Sequence, residues 1–397
     1  MKYVRSFFPH SDIQNIRLYY ILTFLSELYF IIGNWVFFWI KYMTYGQLGL
    51  LDMFAFSFGF IMEVPTGAIA DRIGRKKTIM SAFFLAALGF LIIATANGQI
   101  QLIVGFLIAQ IGWAFYSGSG EALAYDTLKE NKKEEDFEKV VATTNMLTLN
   151  SYLIGAVLGG ILFSIHFRLP HLLTGGSFIV GFIVSLFLHE PHFVSEHFSI
   201  KKYFGTIKTG FQQLLLPKIK PFLPLIFVTA GIGFMYSTGI IQPALAQRFG
   251  YDGTTFSYLS ALAIIISTFA VRSIPWFRTH VSDMLGLRLL GIIFIIGFVL
   301  VAFPLGYAGG IVMVILSINK ALTAPWVSVV VNRELPSEYR ATALSAIEMI
   351  KKIPYILVAG IAGAMIDKQM LFQLCLGIAI VVLTIMVVHR IVVKKKL

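Results

Sequence analysis

Charged residues are scarce in this 397-residue chain. Asp, Glu, Lys and Arg supply 13% of it, about half the share of an ordinary soluble domain. With 57% hydrophobic residues, there is too little polar surface to cover a water-soluble particle, so lipid is the expected solvent for much of the chain. The single cysteine, Cys375, lies in an apolar run, which excludes a disulfide framework and a thiolate metal site. No G-x-x-x-x-G-K-[ST] phosphate loop occurs, leaving ATP drive unsupported. H-E-x-x-H and G-x-S-x-G are absent too, so nothing indicates an intramembrane enzyme. His189, His192 and His197 gather near Glu190 and Glu196 but at no convincing ligand spacing. No metal and no cofactor are expected.

What the chain does have is apolar runs of about 20 residues, the length of a spanning helix. Twelve occur, near 17–40, 46–70, 78–97, 100–125, 140–166 and 171–189, then near 221–245, 255–275, 287–305, 308–331, 341–366 and 370–391. The first follows Arg17 and has no small-residue cleavage site behind a short core, so an uncleaved helix is expected rather than a signal peptide. The net charge of +12 then needs a location. If the alternate joints share a side with both termini, that side holds 27 of the 32 basic residues. By the positive-inside rule both termini are cytoplasmic. The basic balance reports orientation in a membrane, with lipid and not nucleic acid as the partner.

The longest polar stretch, 190–220, separates an N-terminal bundle (1–189) from a C-terminal one (221–397). Within it Phe204, Ile207, Phe211, Leu214 and Leu215 recur at helical spacing with Lys201, Lys202 and Lys208 between them. An amphipathic surface helix and a plain tether both fit. The halves echo each other. Asp71-Arg72-Ile73-Gly74 after the second run has a worn copy, Asp283-Met284-Leu285-Gly286, after the eighth. Such repeats mean two similar bundles about a central site. The expected fold is therefore an all-α membrane protein of twelve transmembrane helices in two pseudo-symmetric six-helix bundles.

The run Gly67-Ala68-Ile69-Ala70-Asp71-Arg72-Ile73-Gly74-Arg75-Lys76-Lys77 matches G-x-x-x-D-R-x-G-R-K at every defining position. With twelve spans, the chain resembles the major facilitator superfamily of secondary transporters over essentially its whole length, most nearly its bacterial drug/proton antiporters. The resemblance implies that this loop is a cytoplasmic latch. Asp71 would accept from the start of an opposing helix, Gly67 and Gly74 would allow close approach and a turn, and Arg72 or Arg75 would pair with Asp126. Two departures stand out. Ile108 occupies the place of the family's fourth-span Arg, so that residue's proton-linked role is not carried over. Ser151, Gly155, Ala156, Gly159 and Gly160 keep three of five positions of the exporters' G-x-x-x-G-P-x-x-G-G. That tilts the reading towards export, although Gly-x-x-x-Gly is also common helix packing in membranes.

Ionisable groups inside spans cost about 2.5–3.5 kcal/mol on insertion scales and mark candidate sites. Glu27 lies about 15 Å along a helix from Arg17. On a continuous helix it forms a polar stripe with Thr23 and Asn34. In the family's fold the first, fourth, seventh and tenth spans line the cavity, so the resemblance implies that Glu27 faces it. Glu27 is read as a proton carrier, with Glu121 as a second candidate; the competing reading is a structural Glu satisfied by a Tyr or Ser. The other cavity candidates begin with Gln110 and Ser117, which form a polar stripe with Glu121 in the fourth run, with Trp113 and Tyr116 beside it. Met235, Thr238 and Gln242 form a matching stripe in the seventh, and Ser317 and Lys320 lie in the tenth. Lys320 would either neutralise Glu27 or bind an anionic substrate group. Glu63, Glu121, Glu348, Lys351 and Lys352 form a candidate cytoplasmic gate, against which stands simple Glu348–lysine pairing along one helix.

The leading expectation is a monomeric secondary transporter in the inner (plasma) membrane. It would export small amphiphilic or drug-like molecules by alternating access, with the proton as coupling ion. A proton-coupled nutrient symporter and a lipid or lysolipid flippase are the alternatives. A non-transporting receptor would have no use for Glu27 and Lys320 at mid-membrane.

Overall fold

The computed structural model describes residues 7–191 and 200–394, without the side chains of 60–72, 200–204, 206, 337–338, 341 and 393–394. The elements of the first half are α1 (Gln14–Ser26), α2 (Trp35–Trp39), α3 (Tyr45–Ile73), α4 (Arg75–Thr95), α5 (Gln99–Tyr116), α6 (Ser119–Glu130), α7 (Phe137–Ile165) and α8 (Leu169–Ser185). After them come α9 (Ile200–Leu214), α10 (Leu223–Thr238), α11 (Ile241–Arg248), α12 (Gly253–Val271) and α13 (Ile274–His280). The chain closes with α14 (Asp283–Val301), α15 (Gly309–Glu334), α16 (Ser337–Ile350), α17 (Ile353–Asp367) and α18 (Leu371–Lys394). All twelve apolar runs fall on helices. Among the described residues eight helical stretches are long and apolar enough to cross a membrane, or nine if α10 and α11, bent by 60°, count as one.

The chain forms two compact units, Met1–Tyr42 with Ser57–Ile200, and Met43–Phe56 with Lys201–Leu397. Helix α3 thus begins in the second unit and ends in the first. Helix α7 shows how the first unit is built. Ile154, Val157, Leu158, Ile161 and Ile165 are exposed, while Ser151, Gly155, Ala156, Gly159 and Gly160 on the opposite face are buried. Large apolar side chains point out and small residues point in. That is the arrangement lipid favours, because tight backbone packing and not water exclusion holds membrane helices together.

In the second unit a buried cluster joins α10, α14, α15 and α16 through Leu225, Leu290, Trp326 and Ile347. Helix α9 forms as the period of its apolar residues implies. Its last turn enters this cluster through Leu214, while Phe211 and Leu215 stay exposed.

Several apolar runs are not continuous helices, which corrects the sequence expectation. The first breaks between Ser26 and Trp35, and the fourth at Ser117–Gly118, where Gly118 has φ +79. The seventh bends at Gly239–Ile240, and the eleventh is interrupted at Lys351–Lys352. Pro224, Pro275 and Pro354 sit in the first turns of α10, α13 and α17, where a missing N–H costs nothing. Non-helical backbone at membrane depth must find partners inside the protein. Those partners locate the candidate site.

Candidate functional site

The break after α1 is held by α7 and α8. A Cβ on Gly155 would lie 2.4 Å from the Tyr29 carbonyl oxygen, and one on Gly159 would lie 2.0 Å from that of Phe30. Only glycine lets α7 approach the exposed backbone this closely. The Ser151 hydroxyl donates to the Phe24 carbonyl at 3.0 Å, and the Phe30 N–H donates to Thr174 Oγ1 at 3.1 Å. Asn34, fully buried, donates from Nδ2 to the Phe30 carbonyl at 3.0 Å. The degenerate exporter-like run of the fifth span is therefore the cradle for the broken first span.

Glu27 is the first residue past α1, so its side chain leaves at the break. Its Oε2 accepts a hydrogen bond from the Tyr152 hydroxyl at 2.8 Å. Ser151 and Tyr152, adjacent on α7, thus bind the freed carbonyl and the carboxylate. The break also removes the basis for a single Thr23–Glu27–Asn34 stripe. Thr23 is buried on α1, Glu27 caps that helix, and Asn34 lies beyond the break, packed beside Gly159.

Beside Glu27, Tyr29 stacks on Trp113 with centroids 6.4 Å apart. Ser26, Tyr29, Trp113, Tyr116 and Phe178 line a cavity about the size of one water molecule. The hydroxyls of Thr23, Tyr29 and Tyr116 are buried there without a hydrogen bond of good geometry. The Gly118 break likewise divides the expected fourth-span stripe. Gln110 and Trp113 belong to α5, Ser117 caps it in an exposed position, and Glu121 lies exposed in the first turn of α6.

In the second unit the bend at Gly239 is supported by Tyr355 of α17. The Tyr355 hydroxyl accepts from the Ile240 N–H at 3.3 Å and donates to Asp52. A Cβ at Gly239 would collide with that hydroxyl at 1.7 Å. About two turns before Asp52, Asp367 accepts from the N–H groups of Tyr45 and Gly46 at 2.9 and 2.8 Å, capping α3. Asp52, buried in its apolar helix, escaped the sequence reading. The signal was an acid six residues into the second apolar run. Nearby, Gln242 donates to Ser317 at 3.3 Å and to Tyr236 at 3.4 Å, which brings two of the expected cavity residues together. Met235 is buried and Thr238 half-buried on α10. Lys320, exposed midway along α15, forms no ion pair or hydrogen bond among the described residues.

The signature loop is only partly described; the side chains of Glu63, Gly67, Asp71 and Arg72 lie outside the described residues, as do His192, Glu196 and His197. Gly74 has φ +91, a conformation that suits glycine. Arg75 Nε lies 3.7 Å from Asp126 Oδ2. Glu190 binds the first N–H groups of α4, those of Arg75 at 2.5 Å and Lys76 at 2.8 Å. A carboxylate there satisfies otherwise orphaned donors and complements the helix dipole. The worn copy reverses the charges. In the first half a loop arginine meets an acid from the fourth run. In the second, the loop acid Asp283 meets Arg333 from the tenth run at 2.7 Å, and Arg278 at 2.6 Å. Of the gate candidates, Glu348 pairs with Lys351 three residues on along the same chain. Outside the spans, Asp136 accepts from Lys139 at 2.5 Å and pairs with His10 at 2.8 Å; these contacts hold its carboxyl below the usual range.

Comparison with known proteins agrees with this architecture. The Major Facilitator Superfamily model matches residues 18–359. The uncharacterized MFS-type transporter YxaM of Bacillus subtilis is 25% identical over 59% of this chain and 61% of its own length. The multidrug resistance protein MdtH of Aeromonas salmonicida is 23% identical over 52% of this chain and 49% of its own. The quinolone resistance protein NorA of Staphylococcus aureus is 26% identical over 48% and 47%. The matches thus span about half to three fifths of these relatives' length. Among solved structures, the nucleoside transporter NupG superposes with a TM-score of 0.74 over 97% of this chain and 99% of its own, at 14% identity. A bacterial homologue of the lysosomal transporter Spinster gives 0.67 over 89% and 82%, at 17% identity; at such identities the likeness speaks for the fold. With two helical units, apolar helices of spanning length and the signature loop in place, the chain belongs to the Major Facilitator Superfamily of membrane transporters.

Proposed function

We propose that the protein is a proton-coupled exporter of small amphiphilic or drug-like molecules, working by alternating access. The observation that carries this reading is the placing of Glu27 at the break of the first span. A carboxyl group there has a single hydroxyl partner, Tyr152, and no cation is paired with it among the described residues. Such a group can take up and release a proton while its surroundings change. The aromatic surface of Tyr29, Trp113 and Tyr116 beside it suits a bulky, partly apolar solute. Relatives named for multidrug and quinolone resistance, and one named a Na(+), Li(+), K(+)/H(+) antiporter, lend support. On this proposal the protein is a monomer in the inner (plasma) membrane, with both termini in the cytoplasm and no cofactor beyond the proton.

The test is reconstitution in vesicles with an imposed pH gradient and a panel of cationic, neutral and anionic amphiphiles. Substrate-dependent proton flux is expected, abolished in Glu27→Gln. The sign of the substrate gradient that drives proton movement separates export from proton-linked nutrient import. Undiminished coupled transport in Glu27→Gln refutes the assignment of the carrier.

A further inference from the structure

Among the described residues Lys320 has no counter-charge, and its position makes that costly. It lies 11 residues from Gly309 and 14 from Glu334, the ends of α15, or about 17 and 21 Å along the axis. A lysine stem is too short to carry its ammonium to either membrane surface from there. An exposed cation at that depth must face water, an anion or both. Among the described residues the charges that act on it are those of Lys351 and Glu348, and those two already pair with each other. One positive charge is left over.

The surroundings are apolar and elongated. The Lys320 stem crosses Gly233, where a Cβ would lie 3.2 Å from its Cγ. Lys351 Nζ lies 5.9 Å from the ring centre of the next residue, Phe234. From Lys351 a groove of about 360 Å³ follows α10 through Ala230, Phe227 and Leu223, with Ile347 and Ile385 as walls and Lys351 as its one charged lining residue. From Ala230 to Leu223 the lined stretch of α10 runs about 10 Å, room for much of a hydrocarbon tail. A groove of this size is within the range that holds small-molecule ligands.

We infer that the second unit binds a singly charged anionic amphiphile, with its carboxylate or phosphate head on Lys320 and its hydrocarbon tail in the α10–α16 groove. This deepens the proposed transport function and rests on it for its physiological meaning. The ion pair between Lys351 and Glu348 keeps the second lysine neutralised, so the site selects one negative charge. A cationic amphiphile of the same length would meet like charge and be rejected.

The experiment measures binding to the full chain in phosphatidylcholine nanodiscs, using laurate and dodecyltrimethylammonium, which share a chain length and differ in head charge. Saturable laurate binding is expected, with the cation at least tenfold weaker. Lys320→Gln should weaken laurate by about tenfold or more, as loss of a charge-assisted contact implies, and Lys320→Arg should restore most of it. Ala230→Trp, which fills the groove but keeps the charge, should weaken laurate more than it weakens acetate. Replacing part of the lipid by phosphatidylglycerol distinguishes the source of the ligand. Displacement of laurate identifies a membrane lipid as the natural occupant; undisturbed binding identifies a free amphiphile. Equal binding of both heads, or unchanged binding in Lys320→Gln, overturns the inference. Proton-coupled flux of other compounds, measured separately, would survive that result. Intact laurate binding without any flux would instead refute the transport reading alone.

Discussion

Gly159→Ala tests whether the broken first span is a built feature of the first unit. A Cβ at that position lies 2.0 Å from the Phe30 carbonyl oxygen and 2.8 Å from its carbon, both backbone atoms. Reaching the 3.4 Å of ordinary contact requires α7 or the 27–34 segment to retreat by about 1.4 Å. Overpacking of this kind costs about 1–3 kcal/mol. The same retreat lengthens the Ser151–Phe24 and Tyr152–Glu27 hydrogen bonds, now 3.0 and 2.8 Å, past useful geometry, at about 1 kcal/mol each. Against this, replacing glycine by alanine inside a helix gains up to about 1 kcal/mol. The net expectation is a loss of about 2–4 kcal/mol and a clear drop in the thermal denaturation midpoint of the purified protein. Gly176→Ala on α8 is the control, because nothing lies within 4 Å of a Cβ there; it should be neutral or slightly stabilising. A wild-type midpoint for Gly159→Ala would refute the cradle. So would equal destabilisation by the two variants.

Two further predictions concern Asp52 and Asp136. Tyr355→Phe strips the partner from buried Asp52 and from the Ile240 N–H, and should destabilise by about 1–3 kcal/mol in the same assay; adding Asp52→Asn should produce less than the sum of the two single losses. Asp136 has a carboxyl held below its ordinary range by Lys139 and His10, so its contribution is present above the unfolded carboxylate value and is lost as pH falls through the folded one. Wild type should therefore exceed Asp136→Asn in denaturation midpoint at neutral pH, with the gap closing in strong acid.

Much of the architecture was legible because its causes are local. A run of about 20 apolar residues spans a bilayer wherever it occurs, and all twelve such runs became helical. The Gly74–Arg75 turn and its Asp126 partner follow from a short motif whose members lie close in the chain or at a helix end. The stripes inferred for the first, fourth and seventh spans failed for one shared reason. They assumed unbroken helices, and a break depends on partners far away in sequence. Ser151, Gly155, Gly159 and Thr174 are what make the gap after Ser26 tolerable, as Tyr355 does for the bend at Gly239. No pattern within residues 17–40 or 221–245 reveals them.

The sequence by itself determined that the chain lives in lipid, that it is helical and doubled, and that Glu27 and Lys320 lie within its spans. Those conclusions rest on transfer free energy and periodicity, which act residue by residue. Tertiary structure alone decided that Glu27 meets Tyr152 and that Asp52 is joined through Tyr355 to the bend of α10–α11. It also decided that Glu348 serves Lys351 and, among the described residues, leaves Lys320 without a partner. Hydrogen bonds and ion pairs reach only about 3–4 Å, so which groups meet is settled by packing, and packing is a property of the folded whole.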